Sequence, residues 1–174
     1  QMGWRSQYAG LELLDWDGLP VYLIDNEYYF GQWIYGGGDF EGEQYAFFSR
    51  AALEALPAAE FAPDILHVND WHTAMVPLLA KTQYQGKPQG GCKTLLAMHS
   101  LAYQGKYDFG FVSELLGIDA HYNQPDYVEH YGCANFMKAG ITFADRLVTV
   151  SPTYAQEVRT PCFGEGLDGI LNAR

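Results

Sequence analysis

Between Pro63 and Gln104 two short apolar runs, Ile65 to Val68 and Thr94 to Met98, each end abruptly on polar residues. Asn69-Asp70-Trp71-His72 follows the first run and His99-Ser100 follows the second. Apolar runs of this length, bounded by polar clusters, read as buried strands. The segment from Thr73 to Gln83 between them carries Met75, Val76, Leu78 and Leu79 and predicts a helix. Its one proline, Pro77, is tolerated only if it falls in the first turn. A strand, helix, strand succession within one sheet is a right-handed crossover, so the two strands are predicted to be parallel. Both polar clusters then lie at the carboxyl edge of the sheet, where open parallel sheets bind ligands. Asp70 and His99 are therefore the first candidate site residues.

The flanking sequence fits the same α/β scheme. Leu11 to Trp16 and Pro20 to Ile24 read as two strands joined at Asp17-Gly18, a dipeptide that favours a type I′ hairpin. The glycines at positions 36 to 38, preceded by Tyr35, lie in a stretch expected to be flexible and able to approach a ligand closely. They lack the spacing of a dinucleotide fingerprint. Glu43 to Leu56 predicts a helix with Tyr45, Phe48, Ala52 and Leu56 on one face, ended by Pro57. Shorter helices are expected at Phe111 to Leu116, stopped by Gly117, and at Ala134 to Phe143, whose Ala134, Ala139 and Gly140 allow close packing. Arg146 to Val150 reads as a third buried strand. Ser151-Pro152 then opens a helix through Val158, with Ser151 as N-cap. Asp119 to Glu129 and Thr160 to Gly169 are expected to be loops.

Composition narrows the function. The chain of 174 residues has room for one domain with a core. Its 21 acidic and 10 basic residues give a net charge of −11, which argues against a nucleic-acid-binding face. It also implies that positive groups for any bound phosphate come from outside this stretch. Aromatic residues make up 16% of the chain, with 13 tyrosines whose rings can pack on sugars while their hydroxyls reach polar groups. An aromatic-rich core is the plainer alternative. Cys92, Cys133 and Cys162 form no CxxC pair, and an odd count of thiols suits a reducing cytoplasm. No apolar run is long enough to span a membrane.

The histidines do not predict a metal site. His67 and His72 lack any fixed ligand spacing with a third or fourth donor. His121 and His130 lie in polar segments and are expected to be solvated. Asp70 can bond ligand hydroxyls or cap the helix that follows it. Trp71 reads as core more than as a sugar platform. His99 can bond a hydroxyl or accept partial charge, the alternative being a histidine tied to a neighbouring carbonyl. Ser151 lacks the GxSxG elbow of a hydrolase nucleophile.

The segments IDNEYYF (24–30), YAFFSRAALE (45–54), PDILHVNDWHTAMVP (63–77), HSLAYQGKY (99–107), NFMKAGITFADRLVTVSPTYAQEV (135–158) and FGEGLDGIL (163–171) carry a resemblance. Together and in this order they resemble bacterial glycogen synthase, the retaining, ADP-glucose-using branch that includes the starch synthases. The resemblance implies a GT-B arrangement, two Rossmann-like domains facing a cleft. Residues 1–174 would form one incomplete N-terminal, glucan-side domain. An upstream strand with a Lys-x-Gly-Gly-Leu loop and the C-terminal nucleotide-binding domain would lie outside it. It implies ADP-glucose and an α-1,4-glucan as substrates, no cofactor and no metal.

By the same resemblance, His99 stands at the histidine beside the transferred glucose and Asp70 at an aspartate of the cleft. Tyr35, Ser100 and Gln104 would bind substrate. The family usually has Asn at the position of Ser100, which puts one hydrogen bond near the glucose in question. The expectation is thus an α/β, Rossmann-like, mainly parallel sheet with helices on both faces, from a cytoplasmic glycosyltransferase that is inactive as this stretch alone. A non-catalytic glucan-binding module is the alternative, and a small hydrolase lacks its nucleophile.

Overall fold

The computed structural model describes all residues from Gln1 to Arg174. It opens with the expected hairpin, β1 (Gly10–Trp16) and β2 (Leu19–Asp25), paired antiparallel with Trp16 opposite Leu19. Asp17 and Gly18 both take positive φ, 52° and 84°, as a type I′ turn requires. A short helix α1 (Glu27–Phe30) follows, capped by the Asn26 side chain, which accepts from the Tyr29 amide at 2.7 Å.

Helix α2 (Gly38–Ala58) is longer at both ends than its apolar pattern predicts. Of glycines 36 to 38, the first two lie in the exposed loop before the helix and Gly38 opens it. The Gly36 amide donates to Gln44 Oε1 and the Gly37 amide to Glu41 Oε2, each at 2.9 Å, so side chains of the helix bind the residues that start it. Pro57 lies inside the last turn and does not end the helix. A proline there leaves the carbonyl four residues back, that of Leu53, without its amide donor. Gln89, buried and 36 residues away in sequence, donates its Nε2 to that carbonyl at 3.2 Å and removes the penalty.

The central sheet is β3 (Ile65–Asn69), β4 (Lys93–Met98) and β8 (Arg146–Thr149), in the order β3-β4-β8 and parallel throughout. Between β3 and β4 lie α3 (Asp70–Thr73), α4 (Met75–Thr82) and a four-residue turn of helix α5 (Pro88–Gly91). Pro77 is the third residue of α4, within its first turn as required. Between β4 and β8 the chain forms a second, small sheet: β5 (Lys106–Tyr107), β6 (Glu129–His130) and β7 (Cys133–Asn135), with β7 central. This sheet was not legible in the sequence. It includes the end of the segment expected to be loop and the start of the one expected to be helix. Helix α6 (Phe109–Leu116) ends at Gly117, which takes the left-handed conformation with φ 64°.

Helix α7 (Phe136–Phe143) packs on α4 as closely as its small residues suggest. A Cβ on Gly140 would stand 2.7 Å from the Ala74 Cβ and 3.0 Å from Leu96 Cδ2. The sheet face bearing Val68, Leu96 and Met98 is buried under this helical layer, whereas Ile65 and Val148 on the other face remain open. After β8, Ser151 caps α8 (Pro152–Glu157) by accepting from the Tyr154 amide at 3.0 Å. A last helix α9 (Asp168–Ala173) begins inside the segment expected to be loop.

Candidate functional site

Because β3, β4 and β8 are parallel, the residues following each strand gather at one edge. Asn69 ends β3, His99 follows β4 and Ser151 follows β8. The parallel register places Asn69 opposite Ala97, and Met98 opposite Thr149. Asp70 and His99 are accordingly brought together as predicted from the two apolar runs.

Their contact has a specific form. Asp70 Oδ1 accepts from the His99 amide at 2.7 Å and, more weakly, from the Ser100 amide at 3.4 Å. The helix-capping alternative is not what is found. Asn69 occupies the N-cap position of α3, and Asp70 is its first helical residue. The Asp70 carboxylate instead ties the end of β3 to the loop after β4. It does so from a left-handed backbone, φ 52°, a conformation that costs an L-residue of order 1–2 kcal/mol. The turn around Asn69 is fixed separately: the Asn69 amide donates to Thr73 Oγ1, and that hydroxyl bonds back to the Asn69 carbonyl, both at 2.7 Å.

The His99 imidazole is exposed, and its Nε2 lies 3.1 Å from Asn69 Oδ1. It is oriented by a side-chain amide and not by a backbone carbonyl. Ser100 is half-buried, and its Oγ accepts from the Ala102 amide at 3.3 Å. Tyr154 of α8 donates no bond here but accepts one through its hydroxyl oxygen from the Leu101 amide at 3.2 Å. The loop after β4 is therefore held by β3 on one side and α8 on the other.

Tyr35 is exposed in the loop before α2, and its ring centroid is 5.8 Å from that of His72. His72 packs edge-on to Tyr45 at 4.5 Å and against Trp71 at 4.4 Å. Burial pushes the His72 imidazole below its ordinary pKa, against the opposite pull of Asp70 and Glu41. Trp71 is core, as expected, and its ring lies under Gly105. Gly105 has φ 63°, and a Cβ there would meet the Trp71 ring at 2.3 Å, so no other residue fits. Asn69 and His72 are the site neighbours that sequence reasoning missed. Their signal was adjacency to Asp70 in the NDWH cluster.

Gln104 is placed differently from the other candidates. Its side chain is 5% exposed, and both its amide nitrogen and its oxygen are bonded to protein groups. His130, expected to be solvated, is also buried. No three His, Cys, Asp or Glu side chains converge on a point that could hold a metal ion. No helix is long and apolar enough to cross a membrane.

Residues 1–173 match the family described as the starch synthase catalytic domain. Among curated proteins, the chain is 46% identical over 175 residues to the glycogen synthase of Geobacillus thermodenitrificans, covering 99% of this chain and 36% of that protein. It is 48% identical over 176 residues to the glycogen synthase of Desulfitobacterium hafniense, covering 99% and 38%. Among solved structures, it is similar to the catalytic domain of starch synthase IV from Arabidopsis thaliana, bound to ADP and acarbose. That match has a TM-score of 0.86 and 33% identity, over 95% of this chain and 35% of that one. The chain thus spans little more than a third of the length of these relatives.

Proposed function

This chain belongs to the starch synthase catalytic domain family, and on that premise we propose that it is the glucan-side part of a GT-B glycosyltransferase. The reaction is transfer of glucose from ADP-glucose to the 4-hydroxyl at the non-reducing end of an α-1,4-glucan, with retention, in the cytoplasm. The observation that carries the reading is the convergence of Asp70 and His99 at the carboxyl edge of the parallel sheet, with Asp70 Oδ1 2.7 Å from the His99 amide.

Glucosyl transfer of this kind develops positive charge on the sugar and negative charge on the departing phosphate. Its main demand on the protein is placed dipoles and charges. His99, oriented by Asn69, hydrogen-bonds and holds the glucosyl unit. Asp70 fixes the His99–Ser100 backbone through Oδ1 and leaves its second oxygen for the acceptor side. Tyr35 offers an exposed ring and hydroxyl, and Ser100 a small polar group where an Asn would reach further. Gln104 acts from behind this loop. With net charge −11, the groups that neutralise the nucleotide phosphates belong to a facing domain.

The test is a chimera in which this chain replaces the matching stretch of Geobacillus stearothermophilus glycogen synthase, 46% identical over 175 residues. Its ADP release should require both ADP-glucose and glycogen. His99→Ala should lower kcat at least about a hundredfold, the scale of losing one transition-state-stabilising group, with little change in melting temperature. Near-normal turnover of that variant would make His99 structural. The isolated chain should release no ADP. If it were retarded by glycogen in an affinity gel while the folded chimera stayed inactive, the glucan-binding-module reading would replace this one.

A further inference from the structure

Behind the loop that carries His99 lies a chain of three buried polar side chains, Gln104, Asn135 and His130, at 5%, 0% and 7% exposure. Gln104 Nε2 donates to the Leu101 carbonyl at 2.9 Å and to the Glu165 carbonyl at 3.0 Å. Gln104 Oε1 accepts from Asn135 Nδ2 at 2.6 Å. Asn135 Nδ2 also faces His130 Nδ1 at 3.2 Å, and His130 Nε2 lies 3.0 Å from the Gly166 carbonyl.

The orientation of every member is determined. Asn135 is the N-cap of α7, and its Oδ1 accepts from the Lys138 amide at 3.0 Å. Its nitrogen must therefore point towards Gln104 and His130, and both its hydrogens are used. His130 Nδ1 is then an acceptor, which places the imidazole proton on Nε2, where it donates to the Gly166 carbonyl. Gln104 has one arrangement that satisfies two carbonyls and one amide. A polar chain that is buried and fully satisfied is rigid, because any rotation strands a donor or acceptor away from water. The backbone adds to the clamp: the Phe136 and Met137 amides of α7 donate to the Gly105 and Gln104 carbonyls at 2.9 and 3.0 Å.

We propose that Gln104, Asn135 and His130 are positioning residues, which set the conformation of the His99–Gly105 loop and couple it to the Glu165–Gly166 turn. None of the three is exposed enough to meet a glucan or a sugar nucleotide directly. Their effect reaches the site through the loop backbone and hence through His99. The catalytic consequence rests on the function proposed above, whereas the structural coupling does not.

Asn135→Ser separates the two roles of Asn135, since serine also caps helices but cannot reach Gln104 or His130. In the isolated chain, followed by NMR, hydrogen exchange of the Leu101, Phe136 and Met137 amides should accelerate at least about tenfold. The His99 imidazole resonances should shift or broaden, while the Ala144 amide, bonded to Gly140 within α7, keeps its protection. His130→Phe, which cuts the links to Gly166 and to Asn135 but spares the Gln104–Asn135 bond, should give the same pattern more weakly and serves if Asn135→Ser does not fold. In the chimera both variants should lower kcat about tenfold with an unchanged KM for ADP-glucose. Unaltered His99 resonances and loop exchange would overturn the coupling. Changed resonances with wild-type kcat in an active chimera would overturn the positioning role. A parent chimera without activity would count against the proposed function and leave the NMR result to decide the coupling.

Discussion

Replacing Asp70 separates two energies that oppose each other at the site. The carboxylate accepts a 2.7 Å bond from the His99 amide and a longer one, 3.4 Å, from the Ser100 amide. Hydrogen bonds to a charged group contribute about 1.5–3 kcal/mol. His99 is exposed, so water can reach its freed amide, and the lower part of that range applies: about 2 kcal/mol. Against this, the left-handed backbone at φ 52° is a standing cost that glycine escapes, that Asp and Asn bear in part and that alanine bears in full.

Asp70→Ala loses the bond and keeps the strain, and should cost about 2 kcal/mol. Asp70→Gly loses the same bond but relieves about 1 kcal/mol of strain, for a net cost of about 1 kcal/mol. Asp70→Asn keeps an acceptor and tolerates the left-handed region, and should cost about 0.5–1 kcal/mol through the lost charge. The measurement is urea unfolding of the three variants at constant m. With m of about 2 kcal/mol per molar, each kcal/mol moves the midpoint by about 0.5 M. An alanine variant as stable as the glycine variant would refute the strain argument. An alanine variant as stable as the parent would refute the bond as well.

Two further outcomes concern groups outside that pair. Because burial lowers the His72 pKa, the folded chain resists protonation there while the unfolded chain takes up a proton near pH 6.5. The His72 contribution is therefore complete above pH 6.5 and is lost as pH falls towards the lowered folded value. His72→Gln should shrink the fall in urea midpoint between pH 7.5 and pH 5, and an identical fall in parent and variant would contradict this. Gln89→Ala should cost about 1–3 kcal/mol, because it leaves the Leu53 carbonyl unpaired opposite Pro57. If Pro57→Ala, which restores the helical amide, fails to recover that loss, Gln89 is not acting on Leu53.

The parts of the fold that were legible are those in which local chemistry and tertiary packing agree. The runs at Ile65 and Thr94 could be read as strands because one face of each packs under the helices through Val68, Leu96 and Met98, although Ile65 on the other face stays open, and Asp17-Gly18 and Ser151-Pro152 have dihedral or capping needs that only such residues meet. The parts that were not legible depend on distant partners. Pro57 reads as a stop only if nothing supplies the Leu53 carbonyl, and Gln89 does. The short strands β5, β6 and β7 hold two or three residues each, too few to leave an alternating pattern. In the site, Asp70 and His99 could be placed at one edge because parallel topology follows from strand order. The approach of His99 to Asn69 spans 30 residues, and the inward turn of Gln104 depends on Asn135 and the Glu165 carbonyl.

The same contacts bear on the chemistry proposed for this edge. A nucleophilic hydrolase needs a base held against a hydroxyl or thiol, with a third group orienting the base. Here the orienting partner of His99 is the Asn69 side chain, an amide, at 3.1 Å. The nearby carboxylate does not face the imidazole; its Oδ1 is bonded to the backbone amides of His99 and Ser100. Ser100 Oγ is turned to the Ala102 amide, and Ser151 Oγ caps α8. Both serine oxygens at this edge thus accept from backbone amides, and no His–carboxylate pair is available to activate either. What remains open is an exposed imidazole fixed in direction by an amide, the second oxygen of Asp70, and the rings of Tyr35 and His72. Such a set suits the proposed role, in which it would hold and orient a sugar and stabilise charge developing on it, while the leaving group carries the reactive phosphates.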